Sequence, residues 1–243
     1  MSAVHAAVET SGSDGHGVAL LAARGMSVGY GPIPVIRDLT VSLFAGEVVS
    51  LLGPNGAGKT TTLRGLAGEL PLTSGHVSWL GRDTHEATHV RCRNGLGVVH
   101  EERSVIRGLS VHDNLRLARG NVERAYDLFP ELTRLMKRKA GLLSGGEQQI
   151  LTLARALSRD PKCLLVDELS LGLAPLITER LLAAVSEAAS RGVGVLLVEQ
   201  QVVSALRVSH RAYVLRRGQV VLQGNSPDLL NRLDEIEQSY LVG

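Results

Sequence analysis

Gly53-Pro54-Asn55-Gly56-Ala57-Gly58-Lys59-Thr60 lies between an apolar run, Val48-Val49-Ser50-Leu51-Leu52, and a helix-forming segment, Thr61-Thr62-Leu63-Arg64-Gly65-Leu66. A strand, a glycine-rich turn and a helix N-terminus in that order aim several backbone N–H groups at one point. The glycines let the backbone close around phosphate oxygens, and the helix dipole favours the anion. With this spacing Lys59 reaches the β- and γ-phosphates of a nucleoside triphosphate, and the Thr60 hydroxyl ligates Mg²⁺. The expected nucleotide-binding set is therefore Gly53, Pro54, Asn55, Gly56, Ala57, Gly58, Lys59, Thr60 and Thr61. A chance glycine-rich turn would lack the strand before it and the helix after it.

Two further segments narrow the field of phosphate-binding proteins. Leu143-Ser144-Gly145-Gly146-Glu147-Gln148-Gln149 opens a second helical pattern, Ile150 to Leu157. Ser144 and Glu147 alone make a capping box. Two adjacent glycines are not needed for capping, and they suit close backbone approach to another phosphate group. Cys163-Leu164-Leu165-Val166-Asp167-Glu168 is a buried-strand pattern ending in two carboxylates. Successive strand residues face opposite ways, so Asp167 and Glu168 are expected to meet different partners. Asp167 is the oxygen donor that suits Mg²⁺, and Glu168 is the group to polarise a water attacking the γ-phosphate.

These motifs together resemble the ATP-binding cassette (ABC) family, whose signature is LSGGQ or a variant such as LSGGEQQ. The resemblance runs from about Met26 to the end. It implies that Ser144, Gly145, Gly146 and Glu147 cap ATP held by a second, identical or paralogous ATPase subunit in a head-to-tail dimer. It also implies that Tyr30, in Val28-Gly29-Tyr30-Gly31, stacks on adenine. One Trp, four Tyr and two Phe are the only aromatics, so a Tyr between glycines is hard to explain as core. Ser170-Leu171-Gly172-Leu173-Ala174-Pro175 matches the family segment that touches the opposite subunit, although a loop entering a helix at Pro175 has the same composition.

Two departures point to one branch of the family. Glu101 stands where most relatives have a glutamine near Mg²⁺, and Gln200 stands where most have a histidine near the γ-phosphate. Both substitutions, with Gly172-Leu173-Ala174-Pro175 and the Ser239-Tyr240-Leu241 ending, resemble the ATP-binding subunits of branched-chain amino-acid importers. His100 and Leu169 depart from that branch, which has proline at both places. Gln200 can donate a hydrogen bond but cannot become cationic near neutral pH. The branch implies transmembrane permease subunits, an extracytoplasmic substrate-binding protein and a place on the cytoplasmic face of the cell membrane. An importer of urea or another small amide, and a soluble cassette protein outside transport, share every motif. A small-molecule kinase has the phosphate loop as well, but a water-activating acid is wasteful in a kinase.

Composition agrees. A formal net charge of +2 leaves no electrostatic footprint for nucleic acid. Cys92 and Cys163 are too few and too separated for a disulfide framework. No apolar run approaches the roughly 18 residues a membrane helix requires. Residues 1–23 read as a disordered tail without the pattern of a signal peptide, and 24–243 as one ABC ATPase domain. The expected fold is α/β: a P-loop core with a mainly parallel sheet and an N-terminal antiparallel β subdomain. A helical subdomain is inserted at about 101–158. Short strands are expected over 24–52 and near 76–79, 95–99, 162–167 and 193–198. Helices are expected over 111–119, 123–139 and 175–190, followed by a hairpin over 212–223 and a helix from Ser226.

Overall fold

The structure, a computed structural model, describes residues 17–241. It opens with an antiparallel pair, β1 (Leu21–Tyr30) and β2 (Ile33–Leu43). β3 (Val48–Leu52) is buried at every position and ends in the glycine-rich turn, from which α1 (Lys59–Ala67) departs. β4 (Leu72–Trp79) and β5 (Arg82–Asp83) return to the antiparallel layer, whose order is β2-β1-β4-β5. α2 (Thr88–Arg93) leads to β6 (Leu96–Val99). A helical stretch then carries α3 (Val111–Leu117), α4 (Val122–Leu128) and α5 (Gly145–Leu157). The chain re-enters the main sheet with β7 (Cys163–Asp167), α6 (Pro175–Ser190), β8 (Gly194–Glu199), α7 (Val202–Val208) and β9 (Arg211–Arg216). It closes with β10 (Gln219–Asn225), α8 (Ser226–Leu230) and α9 (Leu233–Leu241).

The main sheet has the order β10-β9-β3-β8-β7-β6, with every pairing parallel except β10 with β9. β3, β7 and β8 are buried along their whole length, which is why they read as unbroken apolar runs. One core cluster joins this sheet to the helical stretch through Phe129, Leu132, Leu151 and Leu181. A second lies between the two sheets around α1, through Met26, Ile36, Leu63 and Leu66. The α/β class with a mainly parallel sheet and an antiparallel layer is as expected.

Register sets the site. Leu52 lies opposite Glu199, and Asp167 opposite Val198, so β3, β8 and β7 end level with one another. The loops leaving those ends meet in the crevice where α/β sheets bind ligands.

Several expectations change. Leu21–Ala23, assigned to the tail, form strand, because their alternate residues pack into the core. Residues 17–20 are described without a regular element, although Leu20 donates its amide to Leu43 O, and the tail expectation over 1–16 lies outside the described residues. The opening strands are not short but span 10 and 11 residues. The helix expected over 123–139 stops at Leu128. Phe129 leaves the helical region (φ −135°, ψ 73°) because Pro130 disfavours that region for the residue before it, and a 3₁₀ segment follows over Pro130–Leu135. α2 and α7, only six and seven residues long, had no periodic signal to announce them.

Candidate active site

Gly58 caps α1 at φ 101°, a region that side chains rarely adopt, and a Cβ there would fall 2.4 Å from Ile36 Cδ1. Only glycine closes the turn at that point. Lys59 follows, 4% exposed; its Nζ donates to the carbonyls of Gly53 (3.0 Å) and Pro54 (3.2 Å) and stands 3.4 Å from Glu168 Oε1. A buried ammonium requires such acceptors. A phosphate group arriving in the turn would take their place.

β7 ends at Asp167, and Glu168 turns left-handed at φ 45°. Strand alternation therefore does not divide the two carboxylates, as the sequence suggested; the turn after the strand does. Glu168, 8% exposed, donates its amide to Val198 O (2.9 Å), and its Oε1 accepts from Gln200 Nε2 (2.7 Å). Gln200 thus meets the carboxylate of Glu168 directly. Asp167 is 1% exposed, and its Oδ1 is buried without a hydrogen-bond partner. Burial pushes the Asp167 carboxyl upward, with Glu168 and Glu101 adding to the shift, while a hydrogen bond from Thr60 and the charge of Lys59 oppose it. An orphaned carboxylate oxygen beside a hydroxyl fits a hard divalent cation such as Mg²⁺.

Apart from Asp167, which is buried behind it, these groups open on a cleft of about 490 Å³ lined by Tyr30, Val35, Asn55, Gly56, Gly58, Lys59, Thr60, Thr61, Glu101, Glu168, Leu171 and Gln200. Most of the residues singled out in the sequence therefore converge on one space. Gly53 and Pro54 contribute their carbonyls to Lys59, and Ala57 is buried beneath. Tyr30 stands at the rim, 55% exposed, its hydroxyl accepting from Arg64 Nη1 at 3.3 Å. Its ring face is left open to the solvent.

Ser144, Gly145, Gly146 and Glu147 do not line that cleft. They form the first turn of α5 with both halves of a capping box: Glu147 N donates to Ser144 Oγ (3.3 Å), and Ser144 N to Glu147 Oε2 (2.8 Å). The two glycines also have a packing reason within the chain. A Cβ on Gly145 would come 2.8 Å from the Arg103 guanidinium, and one on Gly146 would come 3.1 Å from Ile177.

One buried carboxylate had no role in the sequence analysis. Glu199 ends β8 and is 3% exposed; Ser170 donates its amide to Oε1 (3.1 Å) and its hydroxyl to Oε2 (2.7 Å). Burial pushes this carboxyl upward as well, and the Ser170 bonds work against the shift. Its only signal in the sequence was an acid closing the apolar run Val195-Leu196-Leu197-Val198.

A family model described as ABC transporter matches residues 36–170, more than half of the chain. The chain belongs to the ABC transporter family. Among curated relatives, the high-affinity branched-chain amino acid transport ATP-binding protein BraG of Pseudomonas aeruginosa is 36% identical, covering 90% of this chain and 97% of its own. The lipopolysaccharide export system ATP-binding protein LptB of Escherichia coli K12 is 32% identical, covering 92% and 98%. A solved ATP-binding subunit of an ABC transporter superposes with a TM-score of 0.81 at 27% identity, covering 91% of this cassette and 99% of its own chain. This cassette is the ATP-binding, ATP-hydrolysing subunit of an ABC transporter.

Proposed function

We propose that this cassette powers the uptake of branched-chain, hydrophobic amino acids through separate membrane subunits. The observation that carries the catalytic part is the convergence of Lys59, Glu168 and Gln200 on one oxygen at the mouth of the phosphate loop. Glu168 orients and deprotonates the attacking water. Lys59 binds the β- and γ-phosphates. Gln200 holds the Glu168 carboxylate in place and reaches the γ-phosphate. Tyr30 stacks on adenine. Thr60 and Asp167, with Glu101 beside them, would hold Mg²⁺, which when bound would supply charge neutralisation on the phosphate oxygens.

ATP bound in the cleft is capped by Ser144, Gly145, Gly146 and Glu147 of a second cassette, identical or paralogous. That those residues stand outside the cleft of their own chain supports this division. No helix among the described residues is long and apolar enough to cross a membrane. The pore is assigned to permease subunits, the capture of cargo to an extracytoplasmic binding protein, and the cassette to the cytoplasmic face of the membrane. The helical stretch near Glu101–Leu115 passes the motion on.

The cargo rests on the likeness to BraG and on the pair Glu101 and Gln200. The likeness to LptB supports a second reading, export of lipopolysaccharide. Uptake of labelled leucine, isoleucine, valine and urea in cells lacking this chain separates the two, each strain rescued with wild type or with Glu168→Gln. Loss of leucine-class uptake restored by wild type alone is the expected result. Normal uptake of all four together with an outer-membrane defect would transfer the cassette to export.

A further inference from the structure

Three consecutive residues at the end of β8 grip the loop that carries the hydrolytic acid. Val198 accepts the amide of Glu168 (2.9 Å), Glu199 accepts the amide and hydroxyl of Ser170, and Gln200 donates to the carboxylate of Glu168 (2.7 Å). Between the gripped points, Glu168 holds a left-handed backbone (φ 45°), which is strained for a non-glycine residue and persists only where the surroundings impose it. The middle grip is chemically unusual. Glu199 is a buried carboxylate with no ion-pair partner among the described residues, held by both donors of Ser170 and by the Gln200 amide. Burying a carboxylate without a cation costs stability, so a neutral residue would serve the fold better. What a carboxylate offers here is direction: two oxygens take both donors of Ser170 at once and fix the orientation of the loop.

We propose that Glu199, acting through Ser170, is a positioning residue for ATP hydrolysis: it locks the turn at Glu168 so that the Glu168 carboxylate faces Lys59 and Gln200 in the nucleotide cleft. Glu199 is not among the residues that line the nucleotide cleft, and it lies outside the phosphate loop. Its loss therefore changes the chemical step and not ATP binding. The proposal rests on Glu168 being the hydrolytic acid.

The test compares ATP hydrolysis by the purified full chain as wild type, Ser170→Ala, Glu199→Ala, Glu199→Gln, the Ser170→Ala/Glu199→Ala double variant and Glu168→Gln, each with its melting temperature. A misplaced catalytic group costs up to about 100-fold, so kcat should fall about 10- to 100-fold in Glu199→Ala and by a lesser factor in Ser170→Ala. KM for ATP should stay within about twofold of wild type, the mark of an interaction absent from ground-state binding. The double variant should be no slower than Glu199→Ala, because both substitutions remove one linkage. Glu199→Gln, which can accept from the Ser170 amide and donate to its hydroxyl, should recover most of the rate.

Folded Ser170→Ala and Glu199→Gln variants at wild-type kcat beside a folded Glu199→Ala at wild-type kcat would overturn the proposal. So would effects that multiply in the double variant, or a kcat loss that tracks melting temperature and KM together. Should Glu199→Ala not fold, wild-type kcat in Ser170→Ala is the overturning result. An active Glu168→Gln would overturn the reading of Glu168 itself, whereas an inactive one beside fully active Ser170 and Glu199 variants would overturn the positioning role alone.

Discussion

Glu168 shows how a residue's neighbours decide what it can do. Adjacent to Asp167 in sequence, it was expected to face away from it. The turn at φ 45° takes it off the strand and brings its Oε1 to Lys59 and Gln200. The departures at 100 and 169 also acquire partners. His100 Nε2 lies 3.3 Å from Glu69 Oε1, and Leu169 is buried in the core beneath the sheet's end. The cysteines differ in the same way. Cys163 is fully buried on the central strand, and burial pushes its thiol far up; Cys92 is half-buried, and burial raises it more gently. The thiolate is the reactive form, so both should react slowly with a disulfide reagent at neutral pH. We expect slow modification of Cys92 in the native protein and of Cys163 only after unfolding in denaturant. Rapid native labelling of Cys163 would contradict its burial.

At the scale of elements, the site is held by caps and turns more than by strands. The capping box of α5 was legible as Ser144 and Glu147, and both of its bonds are made. Ser144→Ala should lower stability by about 1 kcal/mol, the usual value of a lost N-cap, as read from urea unfolding. A result near zero would mean that water satisfies that helix end. The β9–β10 hairpin ties the phosphate loop down. Arg217 (φ 48°) and Gly218 (φ 80°) form its two-residue turn, as type I′ geometry requires. Gly218 N donates to Ala57 O (3.0 Å), and Gly218 O accepts from Arg37 N (2.9 Å). A Cβ on Gly218 would fall 1.8 Å from Val35 O. Gly218→Ala should therefore cost at least about 2 kcal/mol, from left-handed strain plus the clash, and weaken ATP binding as well. Unfolding midpoint and nucleotide titration measure the two effects. Unchanged values would show that the turn can shift away from β2.

At the scale of the whole molecule, the proposed head-to-tail pair makes the cleft half of a site. Phosphate-binding groups line it, and the signature turn of the same chain does not. ATP with Mg²⁺ should make Glu168→Gln, expected to bind without hydrolysing, migrate as a dimer in gel filtration. The wild type should return to monomer as ATP is consumed. Nucleotide that binds both cassettes at once favours the closed pair through differential affinity. A monomer under saturating ATP would remove the head-to-tail arrangement for two identical chains and leave a paralogous partner.

The α/β class, the phosphate loop, the two terminal carboxylates and most of the cleft lining were determined by the sequence itself. Each depends on local chemistry: glycine spacing, strand-length apolar runs, and caps within a few residues of one another. What only the tertiary structure decided was long-range. Pairing β3 with β8 and β8 with β7 in register brought Lys59, Glu168 and Gln200 together across more than a hundred residues of chain. It also placed Glu199, an unremarked acid, under Ser170. Short elements such as α2 and α7 carry too little periodicity to be read, and the break at Phe129 depends on a single proline inside an otherwise helical pattern. A linear pattern records which face a residue prefers; only the packed sheet fixes which other residues share that face.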